Sequence, residues 1–336
     1  MDITDSPYFP PDSGNWDQLE PESLGWDINA LEEVFQFTQE HSSTRLLFLH
    51  QGRIVAERYW ELDPARQSRH KDRQIGVDSE GRPIEDVASI QKSVVALLCC
   101  TAKEKGLICF EDEAGKYLGK GWTKASEEAE KAITLQHLLS MSCGLNDALE
   151  YEVPAGEKWF YNTGAYQRLI RVLESVTKLD INEITSSWLT EPIGMADSRW
   201  VERKWARGVD EASKVGFATT NRDLSRLGIL VLGKGKWDGT PVVNSDLLAE
   251  VMKSSQASNP SYGFLWWLNC NKVEPLVPPA PPDLVAGLGA LDRKLYVVPG
   301  HDLVITRFGD RGVNEAGSFN FNVEFWSRFA PVLPKG

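Results

Sequence analysis

The order of strand-like and helix-like segments limits the folds that this chain of 336 residues can adopt. Residues 45–60 contain two β-rich runs around the sequence HQGR, a pattern that predicts a hairpin. Strand patterns return at residues 262–269, 294–299 and 302–309, and helical spacing dominates between residues 89 and 233. Strands, then helices, then strands are typical of an α+β fold rather than of alternating βαβ units. The first hairpin and the last three strands are therefore predicted to form one antiparallel sheet, with the helical middle inserted between them.

The same order predicts how the chain is divided. Residues 1–336 are expected to form one domain with two parts, an α/β subdomain of residues 25–88 and 240–336 and a helical subdomain of residues 89–239. A charged segment with proline and glycine, residues 61–83, is predicted to be a loop. Helical spacing predicts helices at residues 30–41, 89–105, 134–141, 165–177, 181–189 and 220–233, and a closing helix at residues 319–333.

The composition argues against several classes of partner. The formal net charge is −12, whereas nucleic acids and anionic membranes bind to basic surfaces. No run of about 18 apolar residues occurs, and the acidic N-terminus lacks the basic and apolar regions of a signal peptide. The five cysteines contain no C-x-x-C pair, which favours a reduced intracellular setting. We therefore expect a cytoplasmic protein without nucleic-acid or membrane partners, and its oligomeric state stays open.

One predicted helix combines an apolar surface with two polar residues at its start. The segment that begins at residue 88 is apolar on nearly every face, which is typical of a buried helix. Ser89 and Lys92 are three residues apart and therefore face the same way. The free backbone N–H groups at a helix N-terminus favour developing negative charge. Ser89 thus stands where a nucleophile would be stabilised.

Lys92 has the chemistry that a serine nucleophile needs, provided that it is neutral. A serine requires a neighbouring base, and lowering a lysine pKa from about 10.4 to about 7 takes roughly 4.6 kcal/mol. Burial in an apolar helix can supply a change of that size. The structural alternative is that Ser89 is an N-cap and that Lys92 extends to water. The S-x-x-K spacing alone leaves both interpretations open.

Further motifs follow Ser89 and Lys92 along the chain. They are ITLQHLLSMSCGL (133–145), VPAGEKWFYNTGAYQRLIRVLESVT (153–177), EPIGMADSRW (191–200), GFATTNRDLSRLGILVLGKGKWDGTPVV (216–243) and LYVVPGHDLVITRFG (295–309). With these motifs the sequence resembles the serine β-lactamase-like family, which includes class C β-lactamases, penicillin-binding proteins, nylon-oligomer hydrolases and family VIII-type esterases. The resemblance covers roughly residues 20–330. It implies a β-lactamase/transpeptidase-like α+β fold, with an antiparallel sheet flanked by helices.

The resemblance also implies roles for individual residues. Ser89 matches the family's nucleophile and Lys92 the adjacent base. Matching the tyrosines of a Y-S-N-T-G-Y pattern to YNTGAY makes Tyr161 the third catalytic residue. Thr163 then stands, as a substrate-binding residue, where asparagine is usual. Sliding the match by one residue would put Phe160 at the catalytic position, and a phenylalanine exchanges no proton. We therefore prefer Tyr161.

The Gly-containing motif departs most from the family pattern. Residues 287–289, with the sequence GLG, occupy the place of K-T-G, H-x-G or W-G-G in relatives. The resemblance implies that Gly289 and Ala290 bind substrate. A backbone N–H at Ala290 or a neighbour would complete an oxyanion hole with the N–H of Ser89. Backbone donors need no particular side chain, so the departure affects substrate recognition rather than the mechanism.

Two pairs of adjacent residues flank this motif on predicted strands. Arg293 and Lys294 point to opposite faces of their strand, so at most one of them can reach the pocket. Trp266 and Trp267 alternate in the same way, and one of them is expected to form a wall of the pocket. A pocket with few cations favours neutral substrates over anionic ones.

The residues and the resemblance together predict a serine hydrolase that acts on a small-molecule carboxylic ester through an acyl-enzyme. The same Ser-Lys-Tyr site would also serve an amidase or peptidase, a β-lactamase or an acyltransferase. An alternative of another class is a catalytically silent binding protein of this fold. We expect no cofactor and no metal, because the five histidines and five cysteines form no cluster with ligand spacing.

Overall fold

The fold consists of two antiparallel sheets and the helices that pack on them. The computed structural model describes residues 7–12, 14–203, 206, 214–312 and 319–334, apart from the side chains of residues 65 and 68–70. The large sheet contains six strands, which are β1 (Ser43–His50), β2 (Arg53–Tyr59), β9 (Trp267–Leu268), β10 (Val285–Gly289), β11 (Arg293–Val298) and β12 (Leu303–Gly309). Their order is β2-β1-β12-β11-β10-β9, and every neighbouring pair is antiparallel.

The large sheet confirms the predicted pairing of the first hairpin with the last strands of the chain. β9 is shorter than the strand expected at residues 262–269. β10, with the sequence VAGLG, is a strand that side-chain periodicity does not predict. Glycines weaken a strand pattern, so its place in the sheet follows from pairing with β9 and β11 on either side.

The β1–β2 hairpin has the turn that its sequence predicts. His50 pairs with Arg53, and the two connecting residues, Gln51 and Gly52, have φ angles of 48° and 80°. Positive φ at both central positions is the mark of a type I′ turn, whose twist matches that of paired strands. A side chain at Gly52 would collide with the carbonyl oxygen of Tyr8. Glycine therefore also allows the N-terminal arm to cross this turn.

The smaller sheet corrects one prediction. It contains β3 (Gln74–Val77), β4 (Pro83–Asp86), β5 (Arg199–Glu202) and β6 (Val215–Thr219), in the order β3-β4-β6-β5. The prediction of a loop over residues 61–83 is wrong, because this segment contains α2 (Pro64–Lys71) and β3. β4 pairs with β6, which lies far along the chain. β3 is a four-residue, largely exposed strand at the edge of the sheet, so it carries little of the apolar periodicity that predicts a strand. A separate pair, β7 (Lys236–Trp237) and β8 (Thr240–Pro241), forms a short hairpin.

Helices cover both faces of the large sheet. The remaining helices are α1 (Ile28–Glu40), α3 (Gln91–Glu104), α4 (Gly115–Leu118), α5 (Glu127–Lys131), α6 (Leu135–Leu139), α7 (Thr163–Tyr166), α8 (Arg168–Thr177), α9 (Ile181–Thr185), α10 (Asn221–Leu232), α11 (Ser245–Val251) and α12 (Phe321–Phe329). α1 and α12 contact each other and cover one face, and α10 packs on β1, β11 and β12 from the other. α12 confirms the predicted closing helix. The predicted division would place α10 in the helical subdomain, and its boundaries stay a prediction.

The large sheet separates two hydrophobic cores. Along β1, Leu46 and Phe48 belong to the core beneath α1 and α12, whereas Leu47 and Leu49 belong to the core that contains α3. This alternation is what a strand buried on both faces requires. α3 is buried along almost its whole length. The apolar surface of its sequence therefore predicted its position correctly, and its first residues lie deep in the protein.

Candidate active site

The chain enters α3 through a tight turn that carries Ser89. Residues Ala88–Ile90 form a 3-10 turn between the end of β4 and the start of α3. We call residues 87–90 the nucleophile turn. Neither this turn nor α3 has a side-chain cap among the described residues, and Lys92 is only 2% exposed. The alternative in which Ser89 caps the helix and Lys92 extends to water is therefore wrong.

Ser89 and Lys92 are in direct contact. The Lys92 Nζ lies 3.1 Å from the Ser89 Oγ, and Ser89 is partly exposed. Burial lowers the pKa of Lys92, and the nearby charge of Arg203 lowers it further, to about 7. A lysine with this pKa is neutral in a large share of molecules at neutral pH, so its amine can accept a proton.

Tyr161 lies beside the same amine. Its ring centroid is 4.8 Å from the Lys92 Nζ. Burial raises the pKa of the Tyr161 hydroxyl to about 12, although a hydrogen bond with Ser89 opposes this rise. Tyr161 therefore keeps its proton at neutral pH. The structure brings Ser89, Lys92 and Tyr161 together, while their catalytic roles stay predictions.

Asn162 has a structural role that the motifs in the sequence did not predict. Its side-chain oxygen accepts a hydrogen bond from the Ala165 N–H (2.8 Å) and caps α7. Its amide donates to the carbonyl oxygens of Leu145 (2.9 Å) and Asn146 (2.8 Å). The signal was present in the sequence, since asparagine before a helical segment is a common cap. Thr163 is the half-buried first residue of α7, and its substrate-binding role stays a prediction.

The glycines of β10 allow this strand to pass close to the nucleophile turn. A Cβ atom on Gly289 would collide with the carbonyl oxygen of Val87 and would lie 3.3 Å from the Ile90 Cγ1. A Cβ on Gly287 would lie 3.0 Å from the Ile90 Cγ2. The glycines thus have a structural reason, which is the close approach of two backbones.

The pairing of β9 with β10 ends before it reaches Gly289 and Ala290. The Asn269 N–H donates to the Leu284 carbonyl, and the last pair between these strands joins Ala286 to Trp267. Backbone groups alternate in direction along an antiparallel strand. The Leu288 N–H therefore points toward the edge that β9 has left, and Ala290 directly follows this strand. This direction is compatible with the predicted oxyanion donor at Ala290, which stays a prediction.

Arg293 and Lys294 do point to opposite faces of β11, and each pairs with an acid. Arg293 is fully buried, and its Nη2 lies 3.1 Å from Glu85 Oε2. Lys294 is also buried, and its Nζ lies 3.2 Å from Asp292. Burial lowers the pKa of Lys294 to about 8, although Asp292 opposes this. Neither residue presents an exposed cation to a substrate.

Aromatic side chains surround Tyr161. The ring of Trp267 stacks on that of Tyr161, with centroids 6.0 Å apart and an interplanar angle of 21°. Trp159 lies 6.3 Å from Tyr161 and 5.8 Å from Trp267. Trp266 is fully buried, whereas Trp267 is partly exposed. Trp267 is therefore the member of this pair that can form an apolar wall beside the site.

The described residues offer little to a metal ion or a membrane. A cavity of about 940 Å³ is lined by Trp122, Gln167 and residues near them, and none of the predicted catalytic residues lines it. The described residues contain no group of three or more metal-binding side chains. They also contain no helix long and apolar enough to cross a membrane.

Comparison with known proteins agrees with this geometry. The family model described as Beta-lactamase matches residues 28–315. The chain belongs to the β-lactamase family. Among solved structures of similar fold, a family VIII carboxylesterase is 12% identical, with a TM-score of 0.65 over 95% of this chain and 99% of that chain. No curated protein sequence matched.

Two further solved structures resemble this β-lactamase family member. The hydrolase EstCE1, described as having promiscuous acyltransferase activity, is 13% identical, with a TM-score of 0.67 over 92% of this chain and 99% of that chain. A β-lactamase from Mycobacterium bovis is 15% identical, with a TM-score of 0.62 over 90% of this chain and 96% of that chain. At such identities the likeness shows the fold alone, and this fold is the β-lactamase/transpeptidase-like α+β arrangement.

Proposed function

We propose that this β-lactamase family member is a serine hydrolase that cleaves carboxylic esters through an acyl-enzyme on Ser89. The observation that carries the proposal is the 3.1 Å contact between the Lys92 Nζ and the Ser89 Oγ. Burial and Arg203 lower the pKa of Lys92 to about 7, so a proton acceptor lies within hydrogen-bond distance of the nucleophile.

Acylation follows from these contacts. The Ser89 Oγ attacks the ester carbonyl carbon while its proton passes to the Lys92 Nζ. The carbonyl oxygen becomes an oxyanion, which backbone N–H groups of Ser89 and Ala290 would stabilise. The bond to the alkoxy oxygen then breaks, and the leaving oxygen takes up a proton from Lys92 through the Tyr161 hydroxyl. The products of this half-reaction are an alcohol and an acyl ester on Ser89.

Deacylation repeats the same proton transfers with water. A water molecule gives a proton to neutral Lys92 as its oxygen attacks the acyl carbon. Lys92 then returns this proton to the Ser89 Oγ as the bond to the acyl group breaks, which releases the carboxylic acid and free Ser89. Transfer to an alcohol in place of water uses the same intermediate. The similarity to EstCE1, described as a hydrolase with promiscuous acyltransferase activity, supports testing alcohols as acceptors.

Neutral esters suit this site better than β-lactams do. A penicillin or cephalosporin carries a carboxylate beside its reactive ring, and charge-assisted hydrogen bonds to such a group contribute about 1.5–3 kcal/mol each. Residues 287–289 offer only backbone polar groups. Arg293 already pairs with Glu85, and Lys294 pairs with Asp292 on the other face. The net charge of −12 also gives an anion no long-range attraction.

The decisive experiment combines labelling with substrate comparison. An activity-based fluorophosphonate should label the wild-type protein and not Ser89→Ala, and a panel of p-nitrophenyl esters should then define the acyl length. We expect kcat/KM for p-nitrophenyl acetate or butyrate to exceed that for nitrocefin. A protein that folds but takes no label would be the catalytically silent alternative. Nitrocefin turnover equal to or better than ester turnover would contradict the choice of substrate.

A further inference from the structure

Arg203 connects the two ends of the nucleophile turn. It directly follows β5, and its side chain reaches Asp86 at the end of β4. The Nε lies 2.6 Å from Asp86 Oδ2 and the Nη2 lies 2.8 Å from Asp86 Oδ1. The same Nη2 donates to Gln91 Oε1 at 3.0 Å. Asp86 and Gln91 lie on either side of Ser89 in the sequence, so one guanidinium group holds both ends of the turn.

These contacts are buried. Asp86 is fully buried and Gln91 is 2% exposed, and the Arg203 side chain is 8% exposed. Burial alone would raise the pKa of Asp86, but the hydrogen bonds and charge of Arg203, the Ala88 N–H and the charge of Arg293 together outweigh it and hold that pKa below its ordinary value. The Arg73 Nη1 also lies 3.7 Å from Asp86 Oδ2. A Cβ on Gly216 would lie 2.5 Å from the Arg203 Nε. Glycine at this position therefore leaves room for the guanidinium.

The turn that Arg203 holds has a strained backbone. Ala88 has a φ of 52°, and a left-handed conformation costs an alanine about 1–2 kcal/mol. The Ala88 N–H donates to Asp86 Oδ1 at 2.8 Å. Because Arg203 orients the Asp86 carboxylate, it also supports the hydrogen bond that keeps Ala88, and with it Ser89, in place.

The same network extends to the amine of Lys92. The Gln91 side chain donates to the Tyr166 hydroxyl, and the Tyr166 ring centroid lies 4.4 Å from the Lys92 Nζ. The charge of Arg203 lowers the pKa of Lys92, after the larger effect of burial. A cation at this position disfavours the ammonium form of Lys92.

Other groups around Lys92 do not supply that charge. Ser89 and Tyr161 contact the amine as neutral groups, and β10 carries no titratable residue. Glu85 and Arg293 form their own ion pair. The charged residues on the helices packed against α3 are Arg168, Arg171, Glu174, Asp246 and Glu250. Of these, Glu250 pairs with Lys103 near the far end of α3.

We propose that Arg203 is a positioning residue that holds the nucleophile turn through Asp86 and Gln91 and favours the proton-accepting form of Lys92. This inference rests on the proposed serine hydrolase mechanism. It predicts that Arg203 and Asp86 affect the pH dependence of Ser89 acylation in opposite directions. A residue that only stabilised the fold would not do so.

The test measures the rate of fluorophosphonate labelling of Ser89 against pH. The acid limb of this profile is the pH range in which labelling rises as Lys92 loses its proton. Arg203→Gln removes a cation and leaves the Asp86 carboxylate, so the ammonium form of Lys92 gains stability. The acid limb therefore moves to higher pH. Asp86→Asn removes the anion and leaves the guanidinium, so the acid limb moves to lower pH. We expect each shift to be about half to one pH unit. Arg203→Lys keeps the charge and loses the two-point contact, so labelling should slow while the limb stays near that of the wild type.

Arg222→Gln is the matched control, because it breaks another arginine–carboxylate pair, with Glu57 at 2.7 Å, away from the nucleophile turn. The acid limb of its labelling profile should lie at the same pH as that of the wild type. Shifts in the same direction for Arg203→Gln and Asp86→Asn, or no shift in a folded pair, would overturn the inference. If Arg203→Gln does not fold, the acid limb of Asp86→Asn must still lie at lower pH than that of the wild type. The acid limb of Arg203→Lys must lie near the wild-type value. Wild-type protein that takes no label at any pH would instead refute the proposed function.

Discussion

Replacing Gly289 by alanine should impair catalysis far more than it impairs folding. The added Cβ would collide with the carbonyl oxygen of Val87, the first residue of the nucleophile turn. Restoring an ordinary contact of about 3.5 Å requires β10 and the turn to separate by roughly 1 Å. A misplacement of about 1 Å in a catalytic arrangement costs on the order of 100-fold in rate, which corresponds to about 2.7 kcal/mol.

The assay is steady-state hydrolysis of p-nitrophenyl butyrate together with thermal unfolding. For Gly289→Ala we expect kcat to fall about 100-fold, with KM changed much less, because the substrate's remote contacts remain. Gly287→Ala is a graded comparison. Its Cβ would meet a side-chain methyl of Ile90 at 3.0 Å, and a side chain can move at smaller cost. Gly76→Ala is the control, since nothing lies within 4 Å of that Cβ.

The order of kcat among the three variants tests whether close contact with β10 positions the nucleophile turn. Full activity in Gly289→Ala would refute the idea that close contact between β10 and the nucleophile turn positions the site. A larger loss in Gly287→Ala than in Gly289→Ala would refute it as well, because the milder collision would then have the greater effect.

Three further outcomes are expected. Lys92→Ala and Tyr161→Phe should each lower turnover about 10³-fold, and the double variant should cost little more, because groups that act as one unit are not additive; a nearly silent Tyr161→Phe would assign the proton transfer to another residue. The acid limb of kcat/KM should lie near pH 7, since burial and Arg203 lower the pKa of Lys92 to about 7 and activity rises as the amine loses its proton; a flat profile from pH 6 to 8 would contradict this. Asn162→Ala should lower the free energy of unfolding by about 2–4 kcal/mol in urea denaturation, from the lost cap and two unsatisfied carbonyls. Asn162→Asp keeps the cap acceptor but places a buried carboxylate oxygen against these two carbonyls, so it should be at least as destabilising as Asn162→Ala. An unchanged Asn162→Ala would contradict the assigned contacts.

Local sequence patterns predicted the features that depend on local geometry. The spacing of Ser89 and Lys92 placed both side chains on one face, and the apolar surface of the segment that begins at residue 88 placed α3 in the core. The lowered pKa of Lys92 follows mainly from that burial. The turn at Gln51 and Gly52 was likewise predictable, because a two-residue hairpin demands positive φ.

Features that depend on distant pairing could not be predicted in this way. β4 gains its partner from β6, and Arg203 meets Asp86 only because β4 and β5 lie on either side of β6. Nothing in the sequence near Ser89 indicates which arginine would approach it. The glycines at 287 and 289 stood out as a departure from the family motif, and only the contact with Val87 and Ile90 gives their physical reason.

The most direct test of the central claim is the mass of the protein during turnover of a slowly hydrolysed ester. Intact-mass spectrometry should show wild-type protein heavier by one acyl group, and peptide mapping should place that group on Ser89. Ser89→Ala should fold with an unchanged thermal transition and show no adduct. Turnover without an adduct on Ser89, or an adduct that persists in Ser89→Ala, would contradict the proposal that Ser89 is the nucleophile of a serine hydrolase.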